Sequence, residues 1–264
     1  MNHSNETFAP SEKTKKALVT GASEGIGRSL CLLLAQQGYE VTAIARNEKR
    51  LTSLLQEMNL DKHHKYLVAD LTKGEDLKRV LTEVESNTYQ LLVNNAGFGQ
   101  YGLFHQLGID EQMEIIHLNV NSLVRISHSF LSKAQSGDAL VNISSVLALL
   151  PMPQAAIYSA TKSFVTSFSE SLWYENQKRG IYVMGFCPGV TQTNFHERAG
   201  GQASNHPPQY LVQTSDAVAK NIWRALQKRK EPTVISGTKN WMMSQIPRFI
   251  PRKTTVDIMG QQRR

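Results

Sequence analysis

Tyr158 and Lys162 stand four residues apart in Ile157-Tyr158-Ser159-Ala160-Thr161-Lys162, so on a helix they share one face. A free phenol has a pKa of about 10, and an ammonium beside it stabilises the phenolate and lowers that value. The pair reads as a proton-transfer device with Tyr158 as the acid and base. Just upstream runs Val141-Asn142-Ile143-Ser144-Ser145, with hydroxyls at the end of an apolar strand. Ser145, at the tip, is placed to hydrogen-bond the oxygen that Tyr158 protonates, with the adjacent Ser144 as the alternative.

Spacing alone is cheap. The eight tyrosines at an ordinary lysine frequency give about 0.5 accidental Tyr-x-x-x-Lys matches. The chain holds a second one, Tyr174 with Lys178. At 3.6 residues per turn, Tyr174 lies about 160° around the helix from Tyr158, so the two pairs face opposite ways. Only Tyr158 follows a strand tip bearing serines.

The elements that must position these groups alternate along the chain. Strands are expected at 17–20, 40–45, 65–69, 90–94, 139–144, 181–187 and 232–236. Helices are expected near 25–37, 48–58, 74–86, 110–134, 155–179 and 215–229. Asn47 is a helix cap by type, and Thr72-Lys73-Gly74-Glu75 has capping-box spacing. Strands apolar on both faces and separated by helices imply a parallel sheet covered on both sides. With right-handed crossovers this is an α/β, Rossmann-like, doubly wound sheet of about seven strands. One domain is expected over 15–264, after a loose tail at 1–14.

The first strand runs into Thr20-Gly21-Ala22-Ser23-Glu24-Gly25-Ile26-Gly27 and then a helix. Glycines there permit a tight turn and bring backbone N–H groups to a pyrophosphate at the helix N-terminus. The second strand ends in Ala45-Arg46-Asn47, a cation where an NAD-selective site commonly has an acid. Arg46 suits a 2′-phosphate, which favours NADP(H) over NAD(H). Glu24 opposes that reading unless its carboxylate points to solvent. Asp70, ending the third strand, is a candidate acceptor for the adenine amino group, or a plain turn residue.

With these motifs in order, the chain resembles the short-chain dehydrogenase/reductase family, in its compact single-domain branch. The resemblance rests on TGASEGIG, Asn94-Asn95-Ala96-Gly97, Asn119 within HLNVN, Ser145 with Tyr158 and Lys162, and Pro188-Gly189. It implies hydride transfer between nicotinamide and a carbonyl or alcohol carbon. Tyr158 is then the acid in reduction and the base in oxidation, and Ser145 orients the carbonyl oxygen. Lys162 binds the nicotinamide ribose and tunes Tyr158, and Asn119 holds a water that feeds a proton relay; the lesser alternative for Asn119 is to cap or tie backbone within its own helix. Gly21, Ser23, Gly25, Ile26 and Gly27 would hold the phosphates. Asn95, Ala96 and Gly97 would line the cofactor beside the central strands. Pro188, Gly189, Val190 and Thr193 would pass along the nicotinamide.

The stretch after Ser145, Val146 to Pro153, is nearly all apolar, which favours an apolar ketone or acyl chain as the small-molecule substrate. Residues 191–213 lack a clean period and correspond to a substrate flap, with Phe195 and Tyr210 as candidates to close the pocket. The extension at 238–264 mixes apolar and basic residues. A cover for the cleft or a subunit contact is the stronger reading, and a membrane-surface helix the weaker.

Composition bounds the alternatives. The 264 residues are 41% hydrophobic, enough for a sizeable core, and no apolar run approaches a bilayer span. The +7 net charge is scattered, with no basic stripe interleaved with aromatics, which argues against nucleic acid. Cys31 and Cys187 have no metal-ligand spacing and read as buried small hydrophobes in a reducing cytoplasm. His105, His117, His128 and His196 have no partners at ligand spacing, so no metal is expected. Two other functions compete: a nucleotide-binding regulator without turnover, and an isomerase or dehydratase that retains its cofactor. The intact Asn119, Ser145, Tyr158, Lys162 set opposes the first, and the lack of a separate substrate domain opposes the second. A homo-oligomer is expected.

Overall fold

A computed structural model describes residues 14–58, 63–200 and 212–261. Its frame is a parallel sheet built from β1 (Lys16–Thr20), β2 (Glu40–Ala45), β3 (Lys65–Val68), β4 (Leu91–Asn94), β5 (Ala139–Ile143), β6 (Tyr182–Cys187) and, further along the chain, Thr233–Ile235. Thr191–Gln192 (β7) and Gln213–Thr214 (β8) pair separately, so the last sheet strand is β9. The order β3-β2-β1-β4-β5-β6-β9 reverses direction between β1 and β4. In such sheets a crevice opens beyond the carboxyl ends of the strands at that reversal.

Because successive strand residues point to opposite faces, the sheet carries two cores. Ala17 and Val19 pack on one face with Leu30 and Leu34 of α1 (Gly25–Gln36), Leu51 and Leu54 of α2 (Glu48–Glu57) and Val218 and Ile222 of the helix Ser215–Lys228. Leu18, Leu92 and Leu140 pack on the other face with Leu77 and Val80 of α3 (Gly74–Ser86) and Ile126 and Phe130 of the helix Leu123–Leu131. The two cysteines are fully buried, one in α1 and one closing β6. Among the described residues no helix is long and apolar enough to cross a membrane.

Two expectations need correcting. The helix expected over 110–134 is three pieces: α4 (Ile109–Ile116), a π turn at His117–Ser122 and α5 (Leu123–Leu131). Apolar periodicity does not see one extra residue in a turn. The capping box at Thr72 does not form, since Lys73 holds the cap position without a side-chain bond. Instead the Asp70 carboxylate accepts from the Thr72 N–H at 3.1 Å and hydroxyl at 2.8 Å, closing its own turn first. The Asn47 cap does form, accepting from the Arg50 N–H at 3.0 Å.

The chain then continues through α6 (Ala156–Asn176), a short α7 (Phe195–Arg198), α8 (Ser215–Lys228), α9 (Thr238–Gln245) and α10 (Arg252–Gln261). The tail at 1–14 lies, but for residue 14, outside the described residues. So does Tyr210, with flap residues 201–211.

Candidate active site

The crevice is built first by pinning the glycine turn to β4. The Thr20 hydroxyl accepts from the Asn95 and Ala96 N–H groups, each at 3.0 Å. The Asn95 amide donates back to the carbonyls of Thr20 and Gly21 at 3.0 and 3.1 Å. Gly21 has φ +66°, and a Cβ there would sit 2.8 Å from the Ala96 Cα. At Gly27 a Cβ would lie 2.4 Å from the Gly21 carbonyl oxygen, so only glycine lets α1 start this close. Gly25 faces Thr193, and Ser23 and Ile26 complete the turn. Glu24 caps α1 in position only, making no side-chain bond to its first N–H groups.

At the other end of the crevice Arg46 is largely exposed at the tip of β2, 3.9 Å from the Asp70 carboxylate. Glu24 does not point freely to solvent: it is ion-paired with Arg50 and with Arg198 of α7, and it accepts from Asn194 at 3.3 Å. Its charge is matched by two guanidiniums. Arg50 and Arg198 are the partners that spacing did not find, because they lie 26 and 174 residues away.

Strand β5 and helix α6 supply the proton-transfer groups. Tyr158 and Lys162 are both buried, Ser145 stands beside the Tyr158 phenol, and the Ser145 hydroxyl oxygen accepts from the Leu147 N–H at 3.1 Å. The Lys162 ammonium donates to the Ile143 carbonyl at 2.9 Å and lies 5.7 Å from the Tyr158 ring centre. Ser144 is committed elsewhere, donating to the Lys162 carbonyl at 2.8 Å and sharing a 2.7 Å bond with Thr166. Tyr174, the competing tyrosine, is 74% exposed. Hence Ser145→Ala is expected to cost about 10²–10³-fold in turnover, whereas Ser144→Ala leaves it within a few-fold; steady-state rates of the two variants check this.

The expected lowering of the phenol pKa is not what the geometry gives. Burial pushes Tyr158 above its ordinary value and Tyr101 adds to the rise, while the neighbouring Ser145 hydroxyl only partly opposes it. Burial also drives Lys162 down to about 8. The four-residue spacing gave the shared face but carried no information about how little water reaches it.

Asn119 sits in the π turn with its amide fully used. It donates to the Phe98 carbonyl at 2.9 Å and Thr161 at 3.1 Å, and accepts from the Phe98 N–H at 3.2 Å. It thereby ties the loop after β4 to α6, rather than capping or tying backbone within its own helix. A Cβ on Gly97 would come within 3.0 Å of Asn119 and 3.3 Å of the Lys162 ammonium, so its bareness leaves a cradle there. Beyond β6 the Pro188 carbonyl accepts from Val146 N–H at 3.0 Å, and Gly189 abuts Asn240 of α9. Val190 is partly exposed beside them.

An apolar wall closes over the phenol. Met152, Ala155 and Tyr158 cluster with Tyr101, Leu147, Phe195 and Met259. The Phe195 ring centre is 5.3 Å from that of Tyr158. Met259 belongs to α10, so the C-terminal extension does reach the cleft; nothing in its local pattern marks which residue arrives. Among the described residues no group of three His, Cys, Asp or Glu could hold a metal ion.

A parallel doubly wound sheet, a glycine turn at its reversal and a buried tyrosine–lysine pair define an oxidoreductase of the dinucleotide-fold class. The chain belongs to the short-chain dehydrogenase family, whose family model matches residues 15–203. It is 30% identical over 207 residues to a 3beta-hydroxysteroid dehydrogenase of Mediterraneibacter gnavus, covering 76% of this chain and 75% of that one. A short-chain dehydrogenase of Sphingobium yanoikuyae solved with NADPH superposes with a TM-score of 0.79 at 29% identity, over 89% of this chain and 93% of the other. The bulky-bulky ketone specific alcohol dehydrogenase of Comamonas testosteroni gives 0.76 at 27% identity, over 89% and 92%.

Proposed function

We propose that this chain reduces, or in reverse oxidises, a bulky apolar ketone or secondary alcohol with NADP(H). The observation that carries the reading is the buried Tyr158 phenol, beside Ser145 and under an apolar wall of Leu147, Met152, Phe195 and Met259. The residues present fit a nicotinamide dinucleotide. Gly21 and Gly27 leave no room for a Cβ, and Gly97 leaves a cradle bordered by Asn119 and Lys162 that a side chain would fill. When bound, the cofactor supplies or accepts the hydride.

The chain's own residues supply the rest. In reduction the Tyr158 Oη gives its proton to the substrate oxygen while the Ser145 hydroxyl orients that oxygen. A phenol held protonated by burial suits this direction, because it is fully loaded at neutral pH. Lys162, charged below about 8, offers a cation to the phenolate left behind and to the ribose hydroxyls. Asn119 keeps α6 and the loop after β4 in fixed relation. Phe195 and Met259 keep water from the reacting carbon.

Arg46 is the 2′-phosphate ligand in this reading, with Asp70 beside it near the adenine. Neutralisation of Glu24 by Arg50 and Arg198 supports NADP(H), since no uncompensated carboxylate meets the phosphate. Arg46→Asp should therefore shift the NADPH:NADH ratio of kcat/KM by about 10–100-fold toward NADH. An unchanged ratio would discredit the assignment. Relatives whose names specify a hydroxysteroid and a bulky ketone support an apolar substrate of that size. Buried, unpaired Cys31 and Cys187 support a reducing, cytoplasmic setting. Exposed Ile109 and Met113 on α4 and Phe164 on α6, which packs against it, support a homo-oligomer.

A further inference from the structure

The segment after β9 carries more exposed apolar surface than the catalytic role uses. Trp241, Met242, Met243, Ile246 and Phe249 each expose half or more of their surface. The segment is nevertheless fastened down. Asn240 donates to the Ser236 carbonyl at the end of β9 at 2.8 Å, and Ser244 and Thr255 are buried. α9 packs on the turn after Ser145, and α10 puts Met259 against the Tyr158 cluster. The outward residues are therefore presented by an anchored platform.

Charge distinguishes this patch from the other apolar surfaces. Between Glu231 and Asp257 the sequence has Lys239, Arg248, Arg252 and Lys253 and no carboxylate. Arg252 and Lys253 are exposed. A two-fold contact between copies would bring like charges together over this face, because an isologous interface pairs a patch with itself. An anionic bilayer complements both features: aromatic and aliphatic side chains enter the headgroup boundary while the cations meet lipid phosphates.

We propose that the 238–256 platform docks this protein on anionic membrane surfaces, lying on the bilayer without spanning it. Docking needs no particular reaction, so it stands or falls apart from the activity assigned above. It places the element that covers the catalytic cleft at a lipid boundary, where apolar substrates partition.

The test is sedimentation of the full chain with vesicles of phosphatidylcholine, with and without phosphatidylglycerol. The wild type is expected to sediment with the mixed vesicles, to be released from them by high salt, and to stay in the supernatant when only phosphatidylcholine vesicles are pelleted. Arg252→Gln with Lys253→Gln should lower the partition coefficient on the order of 30-fold. Trp241→Ser with Phe249→Ser should lower it by at least about tenfold. All four side chains are exposed, so thermal unfolding should stay within a few degrees of wild type; if one pair misfolds, the other still decides. Wild type that ignores mixed vesicles, or variants that bind as wild type does, would overturn the proposal. So would loss of oligomer mass in the Trp241/Phe249 variant without any vesicle binding by wild type, which would assign the face to a second copy.

Discussion

Replacing Tyr158 by phenylalanine is expected to abolish turnover, by about 10²–10⁴-fold or more in kcat, while NADPH binds within a few-fold of wild type. The substitution removes one oxygen from a ring that stays packed against Phe195, Met152 and Ala155, so the wall keeps its shape. Lost with the oxygen is the proton that the substrate oxygen must receive. A reader of affinity alone, such as quenching of tryptophan fluorescence by NADPH, should barely distinguish the variant. Turnover within tenfold of wild type would remove Tyr158 from the chemistry.

Lys162→Met should separate catalysis from stability. Loss of the ammonium beside the phenol is expected to cost on the order of 10²-fold or more in rate. The folded protein, however, holds Lys162 down at about 8 against an ordinary 10.5, so burying the charge costs roughly 3 kcal/mol. Methionine fills similar space without charge. It leaves the Ile143 carbonyl short of its 2.9 Å donor, which costs about 1–3 kcal/mol in return. At pH 7 the variant should therefore unfold no earlier than wild type, although it is inactive.

The pH dependence carries the same information. Between about 8 and 10.5 the unfolded wild-type chain keeps a lysine proton that the folded chain has lost, so wild-type stability gains with rising pH in that window. Tyr158 acts oppositely: its raised folded value makes the unfolded chain lose a proton first, which erodes stability above about pH 10. Urea unfolding from pH 7.5 to 10 should show a rise in wild type that Lys162→Met lacks. A marked fall in the variant's stability at pH 7 would mean that the ammonium is a structural asset.

Much of this frame is legible in the amino-acid sequence. The seven sheet strands follow from short apolar runs separated by helical periods, and the glycine turn follows from its place between the first strand and helix. Tyr158 could be separated from Tyr174 by angle on one helix, because both lie on α6 and its geometry is fixed by 3.6 residues per turn. What stayed hidden depends on distance in sequence. The Arg198 partner of Glu24, the Thr20 clamp on Asn95 and Ala96, and the arrival of Met259 over Tyr158 are set by how remote elements dock. The sense of the phenol's pKa was also hidden, since desolvation depends on the whole wall around it rather than on the nearest cation. The π turn at Asn119 escaped because one inserted residue leaves the apolar stripe nearly intact.

The most direct test of a hydride passed over the Tyr158 face is isotopic. Purified protein would be incubated with NADPH carrying deuterium at the nicotinamide C4 and a panel of bulky apolar ketones, steroids among them, and the alcohols analysed by mass spectrometry. We expect one deuterium on the carbinol carbon of at least one product, with wild type and not with Tyr158→Phe. Tight NADPH binding with no labelled alcohol from any ketone, or equal labelling by the phenylalanine variant, would contradict the assignment.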